Sequence, residues 1–278
     1  MNVPRISASS YSNTAPLIWS FLYGQNHGKV EIILDTAPAR SAELLNQDRV
    51  DAALVPVIAY QFIDGARLIP DVCVGAKERV RSVCLVTKGE DLTDVRTVSL
   101  DVSSRTSVVL TKIIFREFLG FEPEWRDANP DLQAMLAESD CALIIGDPAL
   151  SIADDLSEPR AFATTGFNAP HAQLRKFDLA SVWHKYTGLG FVFAMWMTRR
   201  NKVAINFAAA RNEGLAHIEE IISNYESEIS LRRGELKQYL SDNISYSVDD
   251  SMNSGMTLYF ELAKKNGLLT ENKPLVFT

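Results

Sequence analysis

The chain has little of what metal, redox and nucleotide chemistry use. It carries three scattered cysteines, Cys73, Cys84 and Cys141, four unclustered histidines, and no CxxC. Each cysteine sits among apolar or β-branched residues, which reads as small buried thiols in a reducing compartment rather than as disulfides or ligands. No metal site and no cofactor are expected. There is no GxGxxG after the first strand, no Walker loop, no HExxH and no GxSxG, so nucleotide binding, zinc hydrolysis and serine hydrolysis lose support. Long apolar runs are also missing. The longest candidate, Leu189 to Met197, is about half of the roughly 20 residues that span a bilayer. The N-terminus lacks a basic stretch followed by an apolar one, so no signal peptide is expected and the reading is cytoplasmic. Positive charge is in deficit too. A formal charge of −7 recruits neither nucleic acid nor anionic lipid, so no partner of either kind is expected. An anionic substrate would have to be held by local donors rather than by the global field. The residues leave a homodimer open.

What is present is strand–helix alternation. With 278 residues the chain suits two lobes of about 100–150 residues each. Arg5–Ser9 reads as a strand and Leu17–Leu22 as a helix, with Asn13 or Thr14 as its cap and Pro16 in its first turn. Val30–Leu34 is a second strand, Pro38–Gln47 a helix, and Ala52–Val57 an unbroken apolar strand buried on both faces. This predicts a parallel sheet covered by helices. After strand Ser82–Val86, the polar Lys88-Gly89-Glu90-Asp91 breaks the pattern. It then restarts: strand Thr97–Leu100, helix Arg105–Phe118, strand Glu122–Trp125, helix Asp131–Ala137, strand Cys141–Ile145. Phe191–Met197 is a last strand. Helices Val203–Tyr225, Leu231–Leu240 and Asp249–Gly267 should pack on an existing lobe. The expectation is therefore an α/β chain with residues 1–87 plus 191–278 in one lobe, 88–190 inserted as the other, and a hinge of two crossovers.

Three strand-to-helix junctions concentrate polar groups. In Leu100-Asp101-Val102-Ser103-Ser104-Arg105-Thr106-Ser107, hydroxyls meet the unpaired N–H groups of a helix start, a ready anion site. Simple capping by Ser103 or Ser104 explains the same residues. Ser9-Ser10-Tyr11-Ser12-Asn13-Thr14 repeats the arrangement in the first lobe. At Ile145-Gly146-Asp147-Pro148, Gly146 allows close backbone approach to a ligand, and Asp147 is either a cap or a cleft acid. Ligands in open α/β sheets bind beyond the carboxyl ends of strands, which is where these junctions fall. His171 and His184 are candidate bases, although an isolated histidine is usually structural.

Several of these segments resemble one family. Ser12-Asn13-Thr14-Ala15-Pro16-Leu17 is similar to its LNT-x-PL, Asp51–Val57 to D-x-ALVPV, and Val80-Arg81-Ser82-Val83 to V-x-SV. Leu100–Ser107 resembles LD-x-SS-x-TS, Ile145–Leu150 resembles IGD-x-AL, and Asp178-Leu179, Trp183 and Thr187–Trp196 resemble DL…W…TGLPFVFA-x-W. The matches run in order over roughly residues 6–196. The family is the menaquinone-pathway chorismate dehydratases of the futalosine route. The resemblance implies a fold like type II periplasmic binding proteins, no cofactor, and loss of water from chorismate to give 3-(1-carboxyvinyloxy)benzoate. It points to Asn13 and Ser82 as catalytic, with Ser10, Thr14, Ser103, Thr106, Ser107, Gly146 and Asp147 expected to bind substrate. Two positions depart from the pattern: Ser12 stands for the usual Leu and Gly190 for the usual Pro. Two rivals share the fold. One is a solute-binding protein for a small carboxylate. The other is the sister enzyme that makes dihydroxynaphthoate, whose histidine is absent from Ile144-Ile145-Gly146-Asp147.

Overall fold

Among the described residues ten strands form two five-stranded sheets. The computed structural model describes residues 3–35, 38–152 and 174–278; His171 lies outside them. In the first sheet, β1 (Arg5–Ser9) pairs in parallel with β2 (Glu31–Asp35) and β3 (Ala52–Pro56). Then β10 (Phe191–Thr198) runs antiparallel between β3 and β4 (Arg67–Ala76). The second sheet repeats the plan. There β6 (Thr97–Asp101) is parallel to β7 (Glu124–Ala128) and β8 (Cys141–Ile145), while β5 (Val83–Thr87) is antiparallel between β8 and β9 (Arg175–Asp178). The central strands β3, β5 and β8 are buried along their whole length, which explains their continuous apolar sequence.

The chain passes from the first sheet to the second between Ala76 and Val83, and returns between Thr187 and Phe191. The first crossing precedes β5, so the expected boundary at residue 87 is corrected. Residues 83–87 belong to the second sheet, and the polar break at Lys88–Asp91 lies inside that unit. Two strands escaped the sequence reading. β4 contains Pro70 and a left-handed Asp71 (φ 58), and its register with β10 shifts twice, so it shows no alternation. β9 is four residues of mostly polar sequence.

Helices α1 (Ala15–Leu22) and α2 (Pro38–Asn46) cover the first sheet, and Pro16 sits in the first turn of α1 as expected. The second sheet carries α3 (Thr106–Ile113), α4 (Leu132–Glu138), the short α5 (Gly146–Leu150) and α6 (Leu179–Thr187). The expected single helix over 203–225 is two, α7 (Phe207–Ala216) and α8 (Ile218–Tyr225). They meet at His217, whose ring stacks on Trp19 at 3.8 Å between centroids. After α9 (Arg233–Gln238), the chain makes a wide turn over Tyr239–Asn243. Helix α10 (Asp250–Lys265), capped by Asp249, buries Met252, Met256, Tyr259, Phe260 and Ala263 on one stripe. It lies against β10 and α3. Gly190 is explained here. Its N–H donates to Ser251 (3.0 Å), which a proline could not do, and an added Cβ would meet Met252 at 2.7 Å.

One apolar core runs from Ile6 and Trp196 in the first unit through Phe191 and Trp183 to Leu110 and Phe115 in the second. A smaller one lies on the far face of the second sheet, around Cys84, Met135 and Ile144. All three cysteines are buried and free, and burial pushes the Cys73 and Cys141 thiols up, away from reactivity. Among the described residues no helix is long and apolar enough to cross a membrane, and no group of His, Cys, Asp and Glu could hold a metal ion.

Candidate active site

The two sheets point the carboxyl ends of β1, β3, β6 and β8 at one another, and a pocket lies where they meet. Ser9, Pro56 and Ile145 close these strands on its wall. The pocket holds about 550 Å³ of space between atoms, partly open to solvent. Leu54, Val74, Val83 and Phe193 give it an apolar floor. Tyr11, Asn13 and Thr14 line it from the first unit, and Ser103, Ser104, Thr106, Ser107 and Gly146 from the second. Among the described residues no Lys, Arg or His is on this wall. A bound anion would therefore be held by hydroxyl, amide and backbone N–H groups, including those at the start of α3.

The junction after β6 is tightly bonded within itself. Asp101 is fully buried, and one carboxylate oxygen accepts from the Ser103 N–H (2.8 Å) and hydroxyl (2.6 Å). The other oxygen is buried and closes no well-directed hydrogen bond, although the Ile145 backbone N–H is near the carboxylate. Burial raises the Asp101 pKa, and the Ser103 bonds oppose that. Ser104 accepts from the Ser107 N–H (3.3 Å), so Ser104 makes the capping contact and Ser103 does not. Thr106 accepts from the Ile58 N–H of the first unit (3.3 Å), and Tyr259 donates to the Thr106 carbonyl (3.0 Å). Ser107 lines the pocket, while its carbonyl receives Thr111 (2.8 Å).

The junction after β1 is arranged differently. The cap position of α1 is Thr14, but its side chain makes no capping bond; it turns back to the carbonyls of Ser9 (2.6 Å) and Tyr11 (2.8 Å). The expectation that Asn13 or Thr14 caps α1 is thus corrected. Asn13 is buried to 9% exposure and lines the pocket. Ser10 does not line the pocket. Successive side chains of an extended segment point to opposite sides, so Ser9 takes the pocket wall and Ser10 a separate groove with Trp19 and Tyr225.

Asp147 is neither the cap nor a pocket acid. Its carboxylate crosses between the units and accepts from the Ser12 N–H (3.1 Å) and hydroxyl (2.5 Å). Burial raises its pKa, and the Ser12 bonds oppose the rise. Beside it, Gly146 adopts φ 67, and the Tyr11 ring packs so close that an added Cβ would meet it at 2.9 Å. Glycine is needed there for both reasons.

Ser82 is fully buried and stands one residue behind the wall, where Val83 takes the pocket face. Its hydroxyl lies 3.5 Å from the Val80 carbonyl, and its own carbonyl accepts from the Gly146 N–H (2.7 Å). The Tyr239 phenol lies beside both Ser82 and Asn13. Burial pushes its pKa far up, against the pull of those two neighbours, and its hydroxyl closes no well-directed hydrogen bond. Tyr239 comes from the wide turn after α9, and nothing in the local sequence there marked it. Tyr11 and Asp101 belong to the two polar motifs, but only the packing assigns them contacts. His184 lies at the end of α6 with Nδ1 3.3 Å from the Leu189 carbonyl, away from the pocket lining.

A sequence-family profile described as menaquinone biosynthesis matches residues 4–265. The chain belongs to that family. This family member is 31% identical, over 263 residues, to the chorismate dehydratase of Thermus thermophilus, covering 90% of this chain and 92% of the relative. Among solved structures, a protein from Archaeoglobus fulgidus superposes with TM-score 0.67 at 17% identity, covering 96% of this chain and 98% of that one. A Candida albicans protein described as having the generic periplasmic binding protein fold matches with TM-score 0.64 at 12% identity, over 98% and 92%. The periplasmic aliphatic sulphonate binding protein of Escherichia coli matches with TM-score 0.62 at 15% identity, over 99% and 93%. At these identities the solved structures show the fold, which is that of periplasmic binding proteins, as the family resemblance implied.

Proposed function

We propose that this family member is a carbon–oxygen lyase that removes water from chorismate to give 3-(1-carboxyvinyloxy)benzoate. The observation that carries the reading is the pocket itself: an apolar floor walled by hydroxyls, an amide and a helix start, with no cation among the described residues that line it. The identity to a chorismate dehydratase over nine-tenths of the chain supports the same reading. Chorismate is a dianion whose C3 hydrogen is vinylogously acidic, because its ring carboxylate accepts charge through the diene. Breaking C3–H leaves an electron pair that forms a ring double bond as the C4–O bond breaks; the hydroxide leaves with a proton as water, and the ring becomes aromatic. This chemistry asks for orientation, exclusion of water and donors aimed at developing charge.

On this reading Ser107 and the α3 N–H groups hold the ring carboxylate, and Asn13 fixes the enolpyruvyl arm. That arm's own carboxylate is the base, in a pocket whose described wall residues include no histidine. Ser82, one residue behind the wall and beside Tyr239, is assigned to the departing C4 oxygen. The two sheet units act as lobes that close over the ring. The test is to incubate purified protein with chorismate and follow the product by absorbance and mass. An aromatic product one water lighter than chorismate is expected. Binding of chorismate without turnover would instead make this chain a carboxylate-binding protein and overturn the reading.

A further inference from the structure

The segment that carries the chain from the first sheet to the second ends in a strained turn. Arg81 has φ 63, in the left-handed region that a long L side chain rarely adopts. Across it, the Ser82 N–H donates to the Val80 carbonyl at 2.8 Å. This three-residue turn, with a positive φ at its centre, is the rare and strained γ-turn geometry. Such a conformation persists only where its surroundings enforce it.

The enforcing group is Asp178, which closes β9 and opens α6. A plain helix cap needs one bond, and Asp178 makes it, accepting from the Ser181 N–H at 3.0 Å. The same carboxylate also accepts from the Arg81 N–H at 2.5 Å and the Val80 N–H at 3.1 Å. Both N–H groups belong to the turn itself. Ser181 adds a tie to the same segment by donating to the Glu78 carbonyl at 3.0 Å. Beyond the turn, the Ser82 carbonyl is fixed by the Gly146 N–H at 2.7 Å, and Gly146 lies on the pocket wall. Ser82 is thus fixed on one side by the turn and on the other by the wall, with the Tyr239 phenol beside its side chain.

We propose that Asp178 is a positioning residue: its carboxylate clamps residues 80 and 81 in the left-handed turn and so sets where Ser82 points. The inference rests on the reading that Ser82 serves the dehydration. Without the carboxylate, Arg81 relaxes to a negative φ, and the following residue swings with it. A displacement near 1 Å at a reacting group can cost about 10²-fold in rate.

The informative variant is Asp178→Asn. Asparagine caps helices as well as aspartate does, so α6 keeps its start. It offers one acceptor oxygen where the carboxylate offers two, and no charge. With chorismate as substrate, D178N should lose about 10²-fold in kcat, with KM and Tm little changed. Adding Arg81→Gly, measured beside R81G alone, should restore about tenfold, because glycine takes a positive φ without strain. Loss of a helix cap would not be rescued in this way. Wild-type kcat in D178N, or no rescue by the added glycine, overturns the clamp. A structure of D178N gives a second reading independent of catalysis: residue 81 should move to negative φ, and a retained left-handed turn also overturns the clamp. Absence of chorismate turnover by the unaltered protein sinks the proposed function instead, and the φ of residue 81 in D178N then decides the clamp by itself.

Discussion

At the junction after β6, most side-chain groups are bonded to their own segment or to the fold: Ser103 to Asp101, Ser104 to the Ser107 N–H, Thr106 to the Ile58 N–H. At the junction after β1, Ser12 reaches across the cleft to Asp147 and Thr14 folds back on the strand end, while the Asn13 amide is left on the pocket wall. The two look equivalent in sequence, each a run of small polar residues between a strand and a helix. They differ in which groups remain for a ligand. On the α3 side these are Ser107 and the helix N–H groups; on the α1 side, Asn13. The number of polar residues in a junction therefore says less than which of them the fold has already bonded.

The largest expected effect separates binding from capping at Asn13. Asn13→Asp puts a negative charge beside a dianion and converts an amide donor into an acceptor. Turnover of chorismate should fall by about 10²–10³-fold, measured as kcat/KM, with Tm nearly unchanged. Activity like that of the unaltered protein would remove Asn13 from the site.

On the opposite wall, the comparison predicts that hydroxyls of one motif differ in use. Ser107→Ala removes a group that faces the pocket and should raise KM for chorismate by about tenfold, in line with a hydrogen bond to a charged partner worth roughly 1.5–3 kcal/mol. Ser103→Ala removes a bond to Asp101 and should act more on stability than on KM. If the two variants weaken binding equally, the division drawn between bonded and available hydroxyls is wrong.

Ser12 tests the crossing between the units. The motif that this segment resembles has Leu there, whose side chain could not bond Asp147, so the hydroxyl part of this tie belongs to the departure from the pattern. Ser12→Ala should destabilise by about 1–2 kcal/mol, the cost of removing one hydrogen bond to a buried carboxylate that keeps its bond to the backbone N–H. Urea or thermal unfolding measures it. No loss of stability would show the tie to be incidental.

How much of this the chain announced depends on the kind of signal. The alternation that predicts two α/β units rests on continuous apolar runs such as Ala52–Pro56 and Cys141–Ile145, and both are fully buried central strands. β4 was hidden because a proline and a left-handed aspartate interrupt it. The first crossing was misplaced because the segment between Ala76 and Val83 contains neither Gly nor Pro, while the conspicuous Lys88-Gly89 lies inside the second unit. The break between α7 and α8 at His217 has its nearest glycine, Gly214, inside the last turn of α7, and the Trp19 stacking there is a tertiary contact. In the pocket, the serine and asparagine motifs were legible as polar junctions. Tyr239 and the clamp on Arg81 were not, since both depend on residues about 100 or more positions away.

The smallest effect is the pH dependence of the tie between the units. Burial raises the Asp147 pKa in the folded chain, while Ser12 pulls it down and Glu228 adds to the rise. An acid whose folded value exceeds its unfolded one binds its proton more tightly when folded. Its contribution to stability is fully present below the ordinary aspartate value of about 3.9 and is lost as pH rises through the raised folded value. Asp147→Asn cannot titrate and keeps one oxygen to accept from Ser12. The stability of the unaltered protein relative to D147N should therefore be greatest in acid and decline from about pH 4 upward. Asp101 stays in both proteins, so its own titration cancels in the difference. Unfolding measured at several pH values in both proteins gives the slope. A difference that grows in favour of the unaltered protein as pH rises would mean that Ser12 outweighs burial at Asp147, and that the tie between the two junctions is made to the ionised carboxylate at no net cost in desolvation.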